Sequence, residues 1–238
     1  MSPDADTPAL SDEAIELDRL AAEFGTDKCT RAVGDLAPKG YTVHYARYLS
    51  GLRDRPIRLL EIGVLAGASM KMWEAYFPQA EIYGLDINPD CARYATDRTK
   101  IMIGDQTDRA FLRSVVETIG GPIDVVIDDG GHRMSQHRVS LEELLPHLVP
   151  GGLYAIEDLH TAYRGNYEGG YLAEDSTIEF LKTLVDHVNR ADRIHARSSV
   201  MQKAKARLAG KVPTALAGAY ARVTGVHFHK SIAFLEVS

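Results

Sequence analysis

From residue 57 onward the chain alternates short apolar runs with amphipathic segments of helical period, and this alternation constrains the fold more than any other feature. Runs that are apolar throughout belong to strands buried on both faces, a condition met by a parallel sheet with helices on either side. Five strands follow from the pattern: Arg58 to Ile62, Glu81 to Asp86, Lys100 to Ile103, Asp124 to Ile127 and Gly152 to Ile156. The segments Ser69 to Tyr76, Asp108 to Ile119 and Ser135 to Leu148 have the length and spacing of crossover helices. The expected fold class is α/β, with a mostly parallel, doubly wound sheet.

The flanks divide into a few further pieces. Residues 1–10 carry Pro3, Pro8 and small or acidic residues without apolar periodicity, and read as a mobile leader. Residues 11–56 form a helical segment. Its first helix is capped by Ser11, places Leu17, Leu20, Ala21 and Phe24 on one face, and stops at Gly25; a second runs from Thr42 to Leu52. Residues 57–238 make up the sheet domain, closed by a helix over Ser176 to Asn189 and by two late strands or one long hairpin within Val226 to Val237. Between these lie seven basic side chains from Arg190 to Lys211, read as a solvated helix face.

Composition excludes several classes of function. Lys and Arg number 27 against 33 Asp and Glu, a formal charge of −6 that gives no general attraction to nucleic acid or anionic membranes. Two cysteines, Cys29 and Cys91, make neither a disulfide framework nor a zinc site, and fit a reducing compartment. The N-terminus is acidic where a signal peptide is basic, and no run of about 18 apolar residues occurs. A cytoplasmic protein is expected, without nucleic-acid or membrane partners.

In a doubly wound sheet, ligands bind beyond the carboxyl ends of the strands. The first strand leads into Glu61-Ile62-Gly63-Val64-Leu65-Ala66-Gly67-Ala68-Ser69. Gly63 and Gly67 permit close approach of a ligand, and the next helix offers free amides to a carboxylate. The three-glycine dinucleotide fingerprint is missing, which favours S-adenosylmethionine, a cofactor without pyrophosphate. Asp86, ending the second strand, is placed to accept ribose hydroxyls, while Asp105 and Gln106 are placed to read an adenine edge, unless Asp105 serves only the helix start through Asp108. The fourth and fifth strands end in Asp128-Asp129-Gly130-Gly131-His132 and in Glu157-Asp158. As neighbours about 5 Å apart they bring carboxylates and an imidazole together, a donor set for a hard divalent ion such as Mg2+. The alternative is that Asp128 and Asp158 cap turns.

With these residues in view, the sequence resembles the metal-dependent sugar O-methyltransferases of macrolide and related antibiotic biosynthesis, including mycinamicin and rhamnosyl O-methyltransferases. The resemblance rests on Gly25-Thr26-Asp27-Lys28, His44-Tyr45, Tyr48, Met72-Trp73, Phe77-Pro78, Gly104-Asp105-Gln106, Gly151-Gly152-Leu153-Tyr154 and the acidic motifs. It runs from about residue 20 to 190 and resumes over Val226 to Leu235, departing at Gly131, where serine is usual, and over residues 195–222. It implies a Rossmann-like class I methyltransferase fold, S-adenosylmethionine held by Glu61, Gly63, Gly67, Ser69, Asp86, Asp105, Gln106 and Asp128, and Mg2+ held by Asp129, Glu157 and Asp158. It further implies His132 as general base and a small, glycosylated acceptor. Assembly into a homo-oligomer is also expected. Lys28 and Asp27 would lie near the mouth of the site, although adjacent opposite charges ordinarily form a solvated pair. His137 and His160 read as surface or packing residues. Tyr163 to Tyr171, with Gly165, Gly169 and Gly170, reads either as a flap over the acceptor or as an ordinary surface loop. Two other readings keep the fold: a catechol-type acceptor, or an accessory role like that of cephalosporin hydroxylases. A third is a non-catalytic cofactor-binding subunit.

Overall fold

The computed structural model describes residues 10–189 and 220–238. The basic run from Arg190 to Lys211 lies outside the described residues, as does the leader apart from Leu10. Seven strands form one sheet: β1 (Arg58–Ile62), β2 (Glu81–Asp86), β3 (Thr99–Ile103), β4 (Ile123–Asp128), β5 (Leu148–Ile156), β6 (Val223–His229) and β7 (Ile232–Val237). Their spatial order is β3-β2-β1-β4-β5-β7-β6. The first five are parallel, and β7 enters antiparallel to β5, with β6 paired to it as a hairpin. The chain reverses its direction of winding between β1 and β4, where Ile62 lies beside both Leu85 and Asp128. That register aligns the carboxyl ends of the strands along one edge, so the loops bearing Gly63, Asp86, Asp129 and Glu157 open side by side.

Helices α1 (Asp12–Phe24), α2 (Tyr41–Leu49) and α3 (Ala68–Tyr76) cover one face of the sheet; α4 (Arg109–Ile119), α5 (Met134–Leu144) and α6 (Thr177–Val188) cover the other. The first layer packs Leu17, Tyr45, Leu49, Met72, Trp73 and Phe77 against Leu59, Val125, Ile127 and Phe234. The second packs Leu112, Leu141, Phe180 and Leu184 against Leu60, Val126, Tyr154 and Leu235. Adjacent residues on a strand point to opposite faces, so the apolar runs of β1, β4 and β7 feed both layers. The N-terminal helices are thus part of the domain's core. Among the described residues no helix is long and apolar enough to cross a membrane.

Local signals fix most boundaries. Ser11 accepts a hydrogen bond from the Ala14 amide at 3.2 Å, and Gly25 ends α1 at φ 83°. Ser176 caps α6. Four boundaries differ from expectation by three or four residues, the start of β6 at Val223 instead of Val226 among them. The helix of residues 41–52 tightens into a 3-10 turn at Ser50–Leu52. α5 ends at Leu144 because Pro146 stands in the following turn, where its missing amide is tolerated. β5 begins four residues before Gly152, and the pairing with β4 shifts register between Ile123 and Val125 to accommodate the Pro150-Gly151 stretch.

Phe234, fully buried on β7, meets Tyr45 edge-on at 5.4 Å and stacks on Tyr48 at 4.4 Å between ring centroids. Phe234→Ala should lower stability by about 3–5 kcal/mol in urea denaturation, as for large aromatic truncations in a closed core. A loss below about 1 kcal/mol would show that the antiparallel edge and the N-terminal helices do not share a core.

Candidate active site

A cavity of about 460 Å3 opens at the carboxyl edge, bounded by the β1–α3 loop, Asp86 and Ile87, residues 104–106, residues 129–132 and Asp158. Gly63 leaves β1 at φ 96°, and a Cβ there would collide with the Asp129 carbonyl, so only glycine lets the two loops meet. The Asp86 carboxylate accepts the amides of Val64 and Leu65 on one oxygen and that of Asn88 on the other, each at 2.9 Å. Burial works against its ionisation, but these three N–H donors prevail and hold its pKa below the ordinary value. The acid at the end of β2 therefore shapes the glycine loop as well as lining the cavity. Ser69, in the first turn of α3, lines it too, whereas Gly67 opens α3 in left-handed backbone and does not line it.

Three of the expected cofactor contacts have other work. Glu61 and Asp128 are fully buried and lie beneath the cavity. Glu61 accepts the Trp73 indole N–H at 2.5 Å; Asp128 accepts the Gln106 amide at 3.2 Å and the Tyr154 hydroxyl at 3.4 Å. Gln106 borders the cavity, but its amide also donates to Ser140 at 3.0 Å and its oxygen takes the Gly131 N–H at 2.9 Å. These side chains tie the β4 loop in place. Asp105 stays exposed at the cavity wall and closes a turn on the Thr107 amide at 2.7 Å, while Asp108 caps α4.

The acids beyond β4 and β5 divide into an inner and an outer group. The inner group surrounds Lys28, which is only 1% exposed and does not form the solvated pair with Asp27 that its sequence neighbours suggest. Its Nζ donates to Asp129 Oδ2 at 2.5 Å and to both Glu157 oxygens at 2.8 Å, and stands 3.3 Å from Glu61 Oε1. Tyr45 donates its hydroxyl to Glu157 Oε1 at 2.6 Å. Burial opposes the lysine charge, but Asp129, Glu157 and Glu61 together hold its pKa well above the ordinary value. Glu157 is driven strongly upward by burial and by Asp129, with Lys28 resisting.

The outer group faces the cavity. Asp129, His132 and Asp158 each present a donor atom within 4.8 Å of the others. His132 Nε2 stands 3.9 Å from Asp129 Oδ1 and 3.7 Å from Asp158 Oδ2, and its Nδ1 has no hydrogen-bond partner among the described residues. Lys39 Nζ bonds both oxygens of Asp158 at 2.6 and 2.7 Å, and Tyr41 donates at 2.8 Å. Burial raises the Asp158 pKa, but Lys39 and Tyr41 outweigh it and leave it lowered. His132 and Asp158 both hold left-handed backbone, at φ 57° and 53°, a strain typical of residues fixed for function. Glu157 lies outside this group, turned inward to Lys28 and Tyr45.

Lys28, Lys39, Tyr41 and Tyr45 carry much of this architecture, and nothing in their local sequence gives them these partners. The motif Gly25-Thr26-Asp27-Lys28 marks the first of them without revealing its burial. His137 is packed, bonding Thr177 at 3.0 Å, and His160 bonds Ser231 at 2.8 Å. The Tyr163 to Tyr171 segment folds partly as a 3-10 turn over Gly165–Tyr167 and is tied to the start of α5, where the Ser135 amide donates to Glu168 at 3.0 Å.

A methyltransferase domain family matches residues 60–159. An 8-demethyl-8-alpha-L-rhamnosyl tetracenomycin-C 2'-O-methyltransferase of Streptomyces olivaceus is 35% identical over 204 residues, covering 82% of this chain and 50% of its own. Mycinamicin VI 2''-O-methyltransferase of Micromonospora griseorubida is 34% identical over 261 residues, covering 96% and 61%. Residues 60–159 thus form a methyltransferase domain, and the chain is similar to sugar O-methyltransferases of antibiotic pathways. It spans about half the length of the curated relatives it matches. The solved structure of the MycE methyltransferase with Mg, SAH and mycinamycin VI superimposes with a TM-score of 0.75 at 31% identity, over 93% of this chain and 54% of that one. The fold is accordingly that of a class I methyltransferase.

Asp86 gives this methyltransferase fold a pH signature. A carboxylate whose folded pKa is depressed contributes stability above its unfolded value, near 3.8, and loses it as pH falls through the lower folded value. Asp86→Ala should lower stability by about 1–2 kcal/mol between about pH 5 and 8, and the gap from the parent should close below about pH 4. Denaturant melts across that range measure it; a gap that widens in acid would contradict the assignment.

Proposed function

We propose that this protein is an S-adenosylmethionine- and Mg2+-dependent O-methyltransferase that methylates a sugar hydroxyl of a glycosylated natural product. The observation that carries the reading is the convergence of Asp129, His132 and Asp158 at the end of the cavity formed by the glycine loop and Asp86. Kinship with enzymes named for methylating rhamnosyl and mycinamicin sugars supports the acceptor class. The catechol and accessory readings have no comparable support.

In this reading the loop at Gly63, Gly67 and Ser69 receives the amino-acid end of the cofactor, Asp86 its ribose and the wall at Asp105 its adenine. Gln106 lines that wall as well, Asp128 holds Gln106 from beneath, and Glu61 lies buried against Trp73. Asp129 and Asp158 offer hard carboxylate oxygens at the cavity surface, a donor set that fits Mg2+, with Glu157 behind them through Lys28. A divalent ion bound there lowers the pKa of an acceptor hydroxyl. As the oxygen–methyl bond forms and the sulfur–methyl bond breaks, His132 takes the hydroxyl proton on its ring nitrogen. Lys39 and Tyr41 keep Asp158 ionised and aimed.

A second cavity of about 600 Å3, lined by Lys39, Tyr41, Leu159, Tyr163 and Phe228 among others, adjoins the other side of the Asp158 turn and supports room for a bulky acceptor. Two unpaired, buried thiols, Cys29 and Cys91, support a cytoplasmic setting. Homo-oligomeric assembly is part of the same proposal, checked by light scattering.

Labelled-methyl transfer to rhamnosides, with and without exhaustive chelation, tests the reading. Activity should vanish on chelation and return with Mg2+. His132→Ala should reduce kcat by about 10²–10⁴ while S-adenosylhomocysteine binding stays near that of the parent. Full turnover in chelator, or an unimpaired His132→Ala enzyme, would remove the metal or the base from the scheme.

A further inference from the structure

Lys28 reaches the acids from a turn built to hold it. The Lys39 amide donates to the Asp27 carbonyl at 2.8 Å, Gly40 to Cys29 at 2.9 Å and Thr42 to Lys28 itself at 3.0 Å, which fastens the turn to the start of α2. Asp18 of α1 fastens it from the other side, accepting the Thr30 amide at 2.6 Å and hydroxyl at 2.7 Å, and the Thr42 hydroxyl at 2.7 Å. With the backbone clamped between two helices, the ammonium is delivered to a fixed point.

At that point it meets more anionic oxygen than it can satisfy. An ammonium has three protons. Asp129 Oδ2 and the two Glu157 oxygens take them, and Glu61 Oε1, buried at 3.3 Å, is left without a hydrogen bond among the described residues. Three carboxylates thus share one cation. Asp129 is divided between two neighbourhoods: Oδ2 turns inward to Lys28, and Oδ1 turns outward to His132. Asp129 and Glu157 are two of the three acids that the family resemblance assigns to the metal, so Lys28 and a divalent ion draw on the same oxygens.

We propose that Lys28 is a positioning residue that competes with the divalent ion: by binding Asp129 Oδ2 and both Glu157 oxygens it draws on carboxylates the ion uses and keeps the ion's affinity low. The inference rests on the metal role proposed above. Like charges repel strongly where water is excluded, so an ammonium in contact with a ligand carboxylate weakens any second cation on that carboxylate. A lysine serving only to organise the ligands would have the opposite effect, since its removal would scatter them and weaken binding. The sign of the change separates the two roles.

The test is Mn2+ titration of the full chain, followed by calorimetry and by the electron paramagnetic resonance of the free ion. Lys28→Met should bind Mn2+ about tenfold or more tightly than the parent. Its melting temperature should rise further on adding Mn2+ than the parent's does, because the ion then supplies the charge the lysine supplied. Lys28→Gln, which keeps polar donors without the charge, should follow Lys28→Met. If Lys28→Met does not fold alone, refolding by Mn2+ but not by K+ at equal ionic strength supports the competition, and no rescue overturns it. Equal or weaker Mn2+ binding by a folded variant, with the parent binding, overturns the competition and leaves the metal role standing. Absence of Mn2+ binding in the parent as well overturns both.

Discussion

The buried cluster of Lys28 with Glu61, Asp129 and Glu157 is the interaction on which the site depends. It joins the N-terminal helical turn to β1, β4 and β5, with Lys28, Glu61 and Glu157 almost without access to water and Asp129 reaching the cavity. Removing one partner from such a cluster leaves the others buried and uncompensated, an effect of about 3–5 kcal/mol where it has been measured elsewhere. Trp73 and Tyr45 complete the enclosure by donating to Glu61 and Glu157. The two aromatic rings also touch edge-on at 5.2 Å within the apolar layer, so core packing and the charged cluster restrain each other.

Everything the cavity presents follows from that anchored edge. Parallel register between β1 and β4 puts the glycine loop against the Asp129 carbonyl, and register between β4 and β5 puts Asp128 beside Ile156. The inner acids share one lysine, and on the outer side Asp158 is aimed by Lys39 and Tyr41. One row of carboxylates thereby acquires two functions, holding the fold together behind and presenting oxygen to the cavity in front. His132 faces the outer row with its Nδ1 unpartnered among the described residues, on a backbone that L residues seldom adopt.

Much of this was legible in the sequence because it is written in local signals. Apolar runs at regular spacing gave all five parallel strands, and Ser11 and Gly25 marked the ends of α1 through capping chemistry that acts over three or four residues. Asp86, Asp129, His132 and Asp158 fell at strand ends, where doubly wound sheets place ligands. What could not be read was long-range pairing. Lys28 beside Asp27 looks like a solvated pair until a contact 101 residues away shows it buried. Glu61, Gln106 and Asp128 lie at or beside the carboxyl ends of the right strands, but what each serves depends on partners such as Trp73, Ser140 and Tyr154 that arrive from other elements. Periodicity also misses irregularity: Pro146 and Pro150 moved the ends of α5 and β5 because the chain bends around missing amides.

Anomalous diffraction from crystals grown with Mn2+ and S-adenosylhomocysteine tests the assignment of this edge most directly. The structure leads to a Mn2+ peak bound by the cavity-facing oxygens of Asp129 and Asp158, beside His132 and next to the cofactor bound over the β1–α3 loop and Asp86. A cofactor seated there with no Mn2+ peak at those carboxylates, or with the ion on other residues, would contradict it.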